Sequence, residues 1–136
     1  MLRVVVGALV RDDRVLLGHR SPSKRAYPDV WDLPGGVVED GESETEALTR
    51  ELHEELGVRI ATGSTCHLCR VVAGPAGEPV LLSAWLVTRW QGTPANLAPD
   101  EHLDIAWFGL TELPPLAHHL VRESLLRAAR SAAPHD

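Results

Sequence analysis

One helix with both of its ends marked in the sequence constrains the fold of this chain more than any other segment. Ser43, followed by Glu46 three residues later, forms a capping box that predicts the helix start, and Gly57 predicts its end. Large apolar side chains recur four residues apart within it, at Leu48, Leu52 and Leu56. This spacing places them in one stripe, so the helix over residues 43–56 is predicted to pack on another element with that face.

Apolar segments of strand length flank this helix on both sides. The predicted strands cover residues 3–10, 14–19, 64–73, 79–90 and 105–108, with a further short strand that begins at Trp31 and runs into the turn Pro34-Gly35-Gly36. A second amphipathic helix is predicted over residues 116–131. The order ββ–β–α–ββ–β–α predicts an α/β (α+β) fold with a mixed sheet, and the length of 136 residues predicts a single domain over 1–136.

The charge and the apolar runs of the chain argue against two classes of partner. A formal net charge of −6 disfavours a nucleic acid polymer, because binding the phosphate backbone needs a basic surface. No apolar run approaches the roughly 18–20 residues that span a bilayer, and the apolar start from Met1 to Val10 is too short for a signal peptide. We therefore expect a cytoplasmic protein with neither a membrane nor a nucleic acid polymer as its partner.

The two cysteines, Cys66 and Cys69, have the C-x-x-C spacing of redox pairs and of half zinc sites. A complete zinc site needs two more ligands at matched spacing, and only His67 is close. The segment is also predicted as a strand, in which residues three apart face opposite sides. We interpret the cysteines as two unpaired thiols, with a dithiol redox protein as the alternative.

Three glutamates lie on one face of the helix over 43–56. At 100° per residue, Glu51, Glu54 and Glu55 fall within an arc of about 100°, beside the apolar stripe. Their mutual repulsion destabilises the helix, whereas a hard divalent cation such as Mg²⁺ removes the repulsion and takes carboxylate oxygens as ligands. Taken alone, the three residues are also consistent with a solvated acidic face. Arg50, four residues before Glu54, is placed to form an ion pair with it.

The stretch from Gly36 to Val58 resembles the Nudix box, G-x5-E-x7-R-E-U-x-E-E-x-G-U, in which U is a bulky aliphatic residue. Every restricted position agrees, and the matching residues are Gly36, Glu42, Arg50, Glu51, Leu52, Glu54, Glu55, Gly57 and Val58. The spacing makes this match highly specific. The resemblance implies the Nudix α/β/α sandwich and a Mg²⁺-dependent hydrolase, with Mn²⁺ as the alternative ion, that cleaves a nucleoside diphosphate linked to another group.

The resemblance also implies which residues hold the metal. Three glutamates correspond to the metal-binding residues of the family, namely Glu51, Glu54 and Glu55. Gly35 corresponds to a glycine whose carbonyl oxygen often joins them. An acidic residue from a later loop often completes such a site or acts as the base, and Glu101 is our candidate, with Asp100 as its close rival.

Other box residues correspond to positions that support the site. Glu42 and Arg50 match residues that maintain the geometry of loop and helix, with Arg50 orienting a catalytic glutamate. Gly36 and Gly57 match the structural glycines of the motif. We therefore expect Arg50 to be part of the catalytic machinery together with Glu51, Glu54 and Glu101.

The loop over residues 20–29 contains the densest positive charge of the chain. Arg20 and Arg25 are candidates for stabilising a substrate phosphate, and Tyr27 is a candidate for lining the pocket. The same loop is equally consistent with a solvated turn. His118 and His119, at the predicted start of the last helix, could reach a substrate, but we interpret them as a surface pair.

The short chain resembles MutT-like members of the family, which cleave (d)NTPs, including 8-oxo-dGTP, to a monophosphate and pyrophosphate. An ADP-ribose or nucleotide-sugar pyrophosphatase is the alternative. Such enzymes usually carry a proline beyond the box, and Pro75 is near that position but does not match it. A nucleotide-binding module without hydrolysis is the alternative from another class. Many relatives dimerise, so we expect a monomer or a homodimer that acts on a small nucleotide.

Overall fold

The computed structural model describes residues 1–74 and 76–132. The strands before the first helix are β1 (Leu2–Arg11), β2 (Arg14–Arg20), β3 (Trp31–Asp32) and β4 (Gly35–Val37). The later strands are β5 (Arg59–Ile60), β6 (Thr65–Ala73), β7 (Val80–Val87), β8 (Trp90–Gln91) and β9 (His102–Gly109). The helices are α1 (Glu44–Leu56) and α2 (His119–Ala132), with a 3₁₀ turn at Thr62–Ser64.

Strand β1 organises the main sheet because it pairs with three other strands. It runs parallel to β7 over Leu2 to Leu9 and antiparallel to β4 and β2. The main path of the sheet is β3-β2-β1-β7-β6, with β4 on β1 and β9 on β2, while β5 and β8 form a separate pair. The sheet is therefore mixed, as the order of elements predicts.

The two helices cover opposite faces of the sheet, which gives an α/β/α sandwich. The cluster on the α1 side joins Val5 and Leu9 of β1 with Leu48 and Leu52 of α1. The cluster on the α2 side contains the alternate β1 residues Val6 and Ala8 with Val121 and Leu125 of α2. Because both faces are covered, β1 is apolar at successive positions instead of alternating with polar residues.

Both predicted ends of the first helix are confirmed. Ser43 Oγ accepts a hydrogen bond from the Glu46 amide at 3.1 Å, and Glu46 Oε1 accepts one from the Ser43 amide at 2.9 Å. Gly57 has a φ of 75°, and its amide donates to the carbonyl of His53 at 2.9 Å. The residues in the apolar stripe, Leu48, Leu52 and Leu56, are at most 1% exposed.

The second helix begins later than the sequence pattern indicates. It starts at His119, whereas the apolar periodicity predicts a start at residue 116. Leu116 follows Pro115 and forms an isolated bridge to Trp31, where it is 8% exposed. Its apolar character therefore reflects core packing of an extended segment. Within the described residues, neither α1 nor α2 has the length and apolar content needed to cross a bilayer.

Long-range pairing also changes several strand limits. The predicted strand over 79–90 is divided into β7 and β8, and β9 begins at His102, three residues before the predicted start. Strand β4 is short and glycine-rich, so the sequence pattern shows it only as a turn, but its pairing with β1 makes it a strand. Pro75, which bears on the ADP-ribose alternative, lies outside the described residues.

Cys66 and Cys69 are both free thiols. A bulge between His67 and Cys69 shifts the register, so Cys66 pairs with Leu86 and Cys69 with Ala84. Leu86 and Ala84 are two residues apart in β7 and share one face of the sheet. The prediction that the two cysteines face opposite sides is therefore wrong, because the extra residue of the bulge breaks the alternation.

Candidate active site

Arg50 connects the loop after β4 to helix α1. Its Nε and Nη2 donate to the two carboxylate oxygens of Glu42 at 2.8 and 2.9 Å, and Nη2 also donates to the Val37 carbonyl at 3.0 Å. Its Nη1 donates to Glu51 Oε1 at 2.9 Å and lies 3.5 Å from Glu54 Oε2. The hydrogen bonds from Arg50 lower the pKa of Glu42 to about 2, so the pair of Arg50 and Glu42, which we call the Arg50 clamp, stays charged over the physiological pH range.

Glu51, Glu54 and Glu55 of α1 differ in how far they are buried. The side chain of Glu54 is 58% exposed and that of Glu51 is 17% exposed, while that of Glu55 is only 5% exposed. The helical geometry explains the order, since Glu55 is the nearest of the three to the apolar stripe. Burial raises the pKa of the Glu55 carboxyl above its usual range.

The Gly35-Gly36 corner allows the backbone to approach α1 and β1 closely. A Cβ atom on Gly35 would lie 2.0 Å from the carbonyl oxygen of Val5, and one on Gly36 would lie 2.4 Å from the carboxylate carbon of Glu51. The atoms near Gly35 are fixed backbone and its φ is 156°, so this position requires glycine, whereas Gly36 leaves room for the Glu51 carboxylate where it now lies. The corner therefore places backbone groups beside the first glutamate of the triad.

His102, at the start of β9, binds Glu55 inside the protein. Its Nε2 lies 2.8 Å from Glu55 Oε1, and both side chains are less than 8% exposed. A Cβ on Gly18 would lie 2.5 Å from His102 Nδ1, so glycine on the facing strand provides the room. The sequence analysis does not single out His102, because its partner is 47 residues away and a lone histidine has no local signature.

Glu101 reaches the site, as the resemblance implies for an acidic residue from a later loop. Its carboxylate accepts a hydrogen bond from Lys24 Nζ, and its carbonyl accepts one from the Ser21 amide at 3.2 Å. Its neighbour Asp100 is exposed and does not line the cleft described below. The structure thus brings Glu101, and not Asp100, to the glutamates of α1.

The loop after β2 supplies cationic and aromatic side chains to the same region. Arg20 donates to the carbonyls of Tyr27 and Ala26 at 2.9 and 2.7 Å, which holds the loop in place. Tyr27 packs edge-on against His118, with ring centroids 4.6 Å apart. Arg25 points away, since its side chain is 80% exposed and pairs with Glu78. Of the three predicted substrate contacts, Arg20 and Tyr27 therefore reach the site.

One cleft of ≈ 590 Å³ connects the α1 glutamates with the loop after β2 and the start of β9. Its polar and charged lining consists of Arg20, Lys24, Tyr27, Asp32, Glu51, Glu54, Glu55, Glu101, His102 and His118. Burial raises the pKa of Asp32 to about 6 and lowers the pKa of His118. Of the two histidines interpreted as a surface pair, His119 is exposed, whereas His118 is partly buried and lines the cleft.

The carboxylates of the cleft are held by partners within the protein. Over residues 1–74 and 76–132, no three acidic, histidine or cysteine side chains converge as a complete metal site. The partners are Arg50 for Glu51, Lys24 for Glu101 and His102 for Glu55. The donor set nevertheless fits a hard divalent cation, because it consists of oxygens and because Glu55 Oε2 is buried without a hydrogen-bond partner among the described residues.

Comparison with known proteins agrees with this arrangement. The sequence profile of the NUDIX domain matches residues 1–129. The CTP pyrophosphohydrolase of Escherichia coli (strain K12) is 34% identical over 97% of this chain and 98% of its own length. The 8-oxo-dGTP diphosphatase of Proteus vulgaris is 34% identical over 66% of this chain and 79% of its own length.

One solved structure is similar to this chain in both fold and sequence. The crystal structure of a MutT NUDIX hydrolase from Burkholderia pseudomallei has a TM-score of 0.80 and 35% sequence identity, covering 91% of this chain and 95% of that one. The agreement includes the mixed sheet and the two helices that cover it. The chain therefore belongs to the Nudix hydrolase family and is a pyrophosphohydrolase of nucleotide derivatives.

Proposed function

We propose that this enzyme uses Mg²⁺ to hydrolyse a nucleoside triphosphate to a nucleoside monophosphate and pyrophosphate. The observation that carries the proposal is the cleft whose lining combines four glutamates with Arg20 and Lys24. Carboxylates can hold cations and guanidinium and ammonium groups can bind phosphates, so the cleft offers both functions that a triphosphate needs. The names of two relatives, a CTP pyrophosphohydrolase and an 8-oxo-dGTP diphosphatase, support this substrate class.

The residues that would hold the cation come from three parts of the chain. They are the Gly35 carbonyl of β4, then Glu51, Glu54 and Glu55 of α1, and Glu101 from the loop before β9. When bound, Mg²⁺ or Mn²⁺ supplies positive charge that neutralises the phosphate oxygens in the transition state. Arg50 does not bind the cation but positions one of its ligands. Its hydrogen bonds to Glu42 fix the guanidinium, and its Nη1 then holds the Glu51 carboxylate in place.

The protein's own residues account for the proton and for the leaving group. A water attacks phosphorus in line, and its proton passes to a carboxylate of the cleft, for which Glu54 and Glu101 are the more exposed candidates. The bond that breaks joins this phosphorus to the oxygen that leaves on pyrophosphate. Arg20 and Lys24 stabilise the negative charge on the leaving group. Tyr27 lies on the same wall and provides an aromatic contact for the nucleoside.

The test is hydrolysis of a nucleotide panel with identification of the products by ³¹P NMR. The panel contains CTP, the dNTPs, 8-oxo-dGTP, ADP-ribose and dinucleoside polyphosphates, each with Mg²⁺ and with chelator. We expect a monophosphate and pyrophosphate from at least one triphosphate, with Mg²⁺ only. Cleavage of ADP-ribose alone would replace this proposal by the ADP-ribose pyrophosphatase alternative. Thermal stabilisation by nucleotides without any product would indicate a binding module.

A further inference from the structure

A second groove, of ≈ 520 Å³, lies at the other end of strands β2 and β9 from the catalytic cleft. It is formed by Arg11, Asp12 and Arg14 at the β1–β2 turn, by the segment that follows β8, and by Trp107. It shares no lining residue with the cleft. On β9, His102 lines the cleft and Trp107 lines the groove, which places the two roughly 17 Å apart along the strand.

Two arginines face each other across the hairpin at this groove. Arg11 and Arg14 are direct cross-strand partners, so their side chains lie on the same face of the sheet. Like charges in such a pair repel each other, and within the described residues neither guanidinium has a carboxylate within 4.0 Å. Arg11 also lies 3.8 Å from the centroid of the Trp90 ring. An anion that bridges the two guanidiniums would remove the repulsion.

An exposed aromatic surface lies beside the arginines. Trp107 is 38% exposed and stacks on Trp90, with ring centroids 6.1 Å apart. Arg14 pairs with Gly109 and Leu16 with Trp107, so the same face of the sheet carries Arg14 and Trp107. A Cβ built on Gly109 meets no atom within 4 Å. The sheet therefore leaves open space next to Trp107, opposite Arg14.

We propose that this groove is a second binding site, and that its ligand is a free nucleotide whose base stacks on Trp107 and whose phosphate bridges Arg11 and Arg14. Guanidinium groups suit phosphate oxygens, and any nucleobase offers a flat face for an indole ring. A phosphate alone would use only the arginines and a nucleoside only the tryptophan. The net charge of −6 favours a free nucleotide over a polymer.

The test follows the tryptophan indole N–H signals in ¹H–¹⁵N NMR spectra during titration with CMP, with inorganic phosphate and with cytidine. The Trp107 signal is assigned by its loss in Trp107→Phe. We expect CMP to shift this signal saturably and to bind at least tenfold more tightly than phosphate or cytidine. Because the signal reports on the groove, its response is distinguishable from nucleotide binding in the catalytic cleft.

Two variants locate the response in the groove by different means. Arg14→Gln removes one guanidinium, and Gly109→Val fills the open space beside Trp107. We expect each to weaken CMP binding at the Trp107 signal at least tenfold, while Arg127→Gln, an exposed arginine of α2, leaves it unchanged. No shift of the Trp107 signal at millimolar CMP would overturn the proposal. Phosphate affinity equal to that of CMP, or full CMP affinity in Arg14→Gln, would also overturn it.

Discussion

Glu54 differs from Glu51 and Glu55 in that its side chain is mostly exposed, at the cleft. Removing its charge should therefore change the chemistry and leave packing intact. We predict that Glu54→Gln lowers kcat by at least about 100-fold at unchanged circular dichroism. The matched control is Glu123→Gln, an exposed glutamate on α2. Near-normal turnover of Glu54→Gln would exclude Glu54 from the catalytic machinery.

Asp32 is a carboxyl whose burial affects stability in a pH-dependent way. Its pKa is raised to about 6 by burial, against an unfolded value near 4, so ionisation of the folded protein costs free energy above that range. We predict that Asp32→Asn raises the free energy of unfolding, by up to about 3 kcal/mol at pH 8, because the neutral amide keeps the contact to the Leu33 amide.

The pH dependence of this gain is its control. Below about pH 4 both the folded and the unfolded carboxyl are protonated, so the variant and the wild type should have nearly the same stability. The difference should grow between pH 4 and 6 and remain constant above that range. Urea unfolding at pH 3.5, 5 and 8 measures it, and an equal gain at all three values would exclude charge burial as the cause.

Helix α1 and the loop before it act as one element because Arg50 joins them. The guanidinium contacts Glu42 through two nitrogens and extends to Glu51 and the Val37 carbonyl. An ammonium group cannot reproduce this planar fork. We predict that Arg50→Lys, which keeps the charge, lowers kcat at least about tenfold, as steady-state kinetics would show. Arg127→Lys should leave kcat unchanged. An unchanged kcat in Arg50→Lys would show that only the positive charge at this position matters, and not the shape of the guanidinium.

The apolar stripe of α1 anchors Glu51, Glu54 and Glu55 to the sheet. Leu52 is fully buried in the cluster that joins α1 to β1. We predict that Leu52→Ala lowers the free energy of unfolding by roughly 2–5 kcal/mol, measured by denaturant titration. Leu120→Ala, at a position of α2 that is 49% exposed, should change it by less than about 0.5 kcal/mol. Equal effects of the two changes would contradict the packing of α1.

The cleft is a property of the whole molecule, since its carboxylates come from β3, from α1 and from the loop before β9. Its lining contains five carboxylates against the two cationic side chains Arg20 and Lys24, so we predict that Mg²⁺ stabilises the folded state. At a Mg²⁺ concentration of about 100 times its Kd, we expect a gain of about 2.7 kcal/mol in the free energy of unfolding, seen as a rise in Tm. The rise should shrink in Glu54→Gln. An equal rise in both proteins would place the ion elsewhere.

The parts of the fold that follow local rules are those that could be predicted. The structure confirms the capping box at Ser43, the helix end at Gly57 and the first hairpin. Each of them depends only on residues that are close in the sequence. The start of α2 and strand β4 were not predicted well. Leu116 and Gly35 owe their conformations to contacts with Trp31 and β1, which are distant in the sequence.

The same division applies to the site. The spacing of the box was enough to place Glu51, Glu54 and Glu55 on one helical face and to pair Arg50 with Glu54, because a helix has a constant angle per residue. Other features of the site depend on how separate segments pack against each other. They are the burial of Glu55 against His102, the position of Glu101 rather than Asp100 at the cleft, and the position of Arg25 outside it. Register and packing between strands set those distances, and no local pattern encodes them.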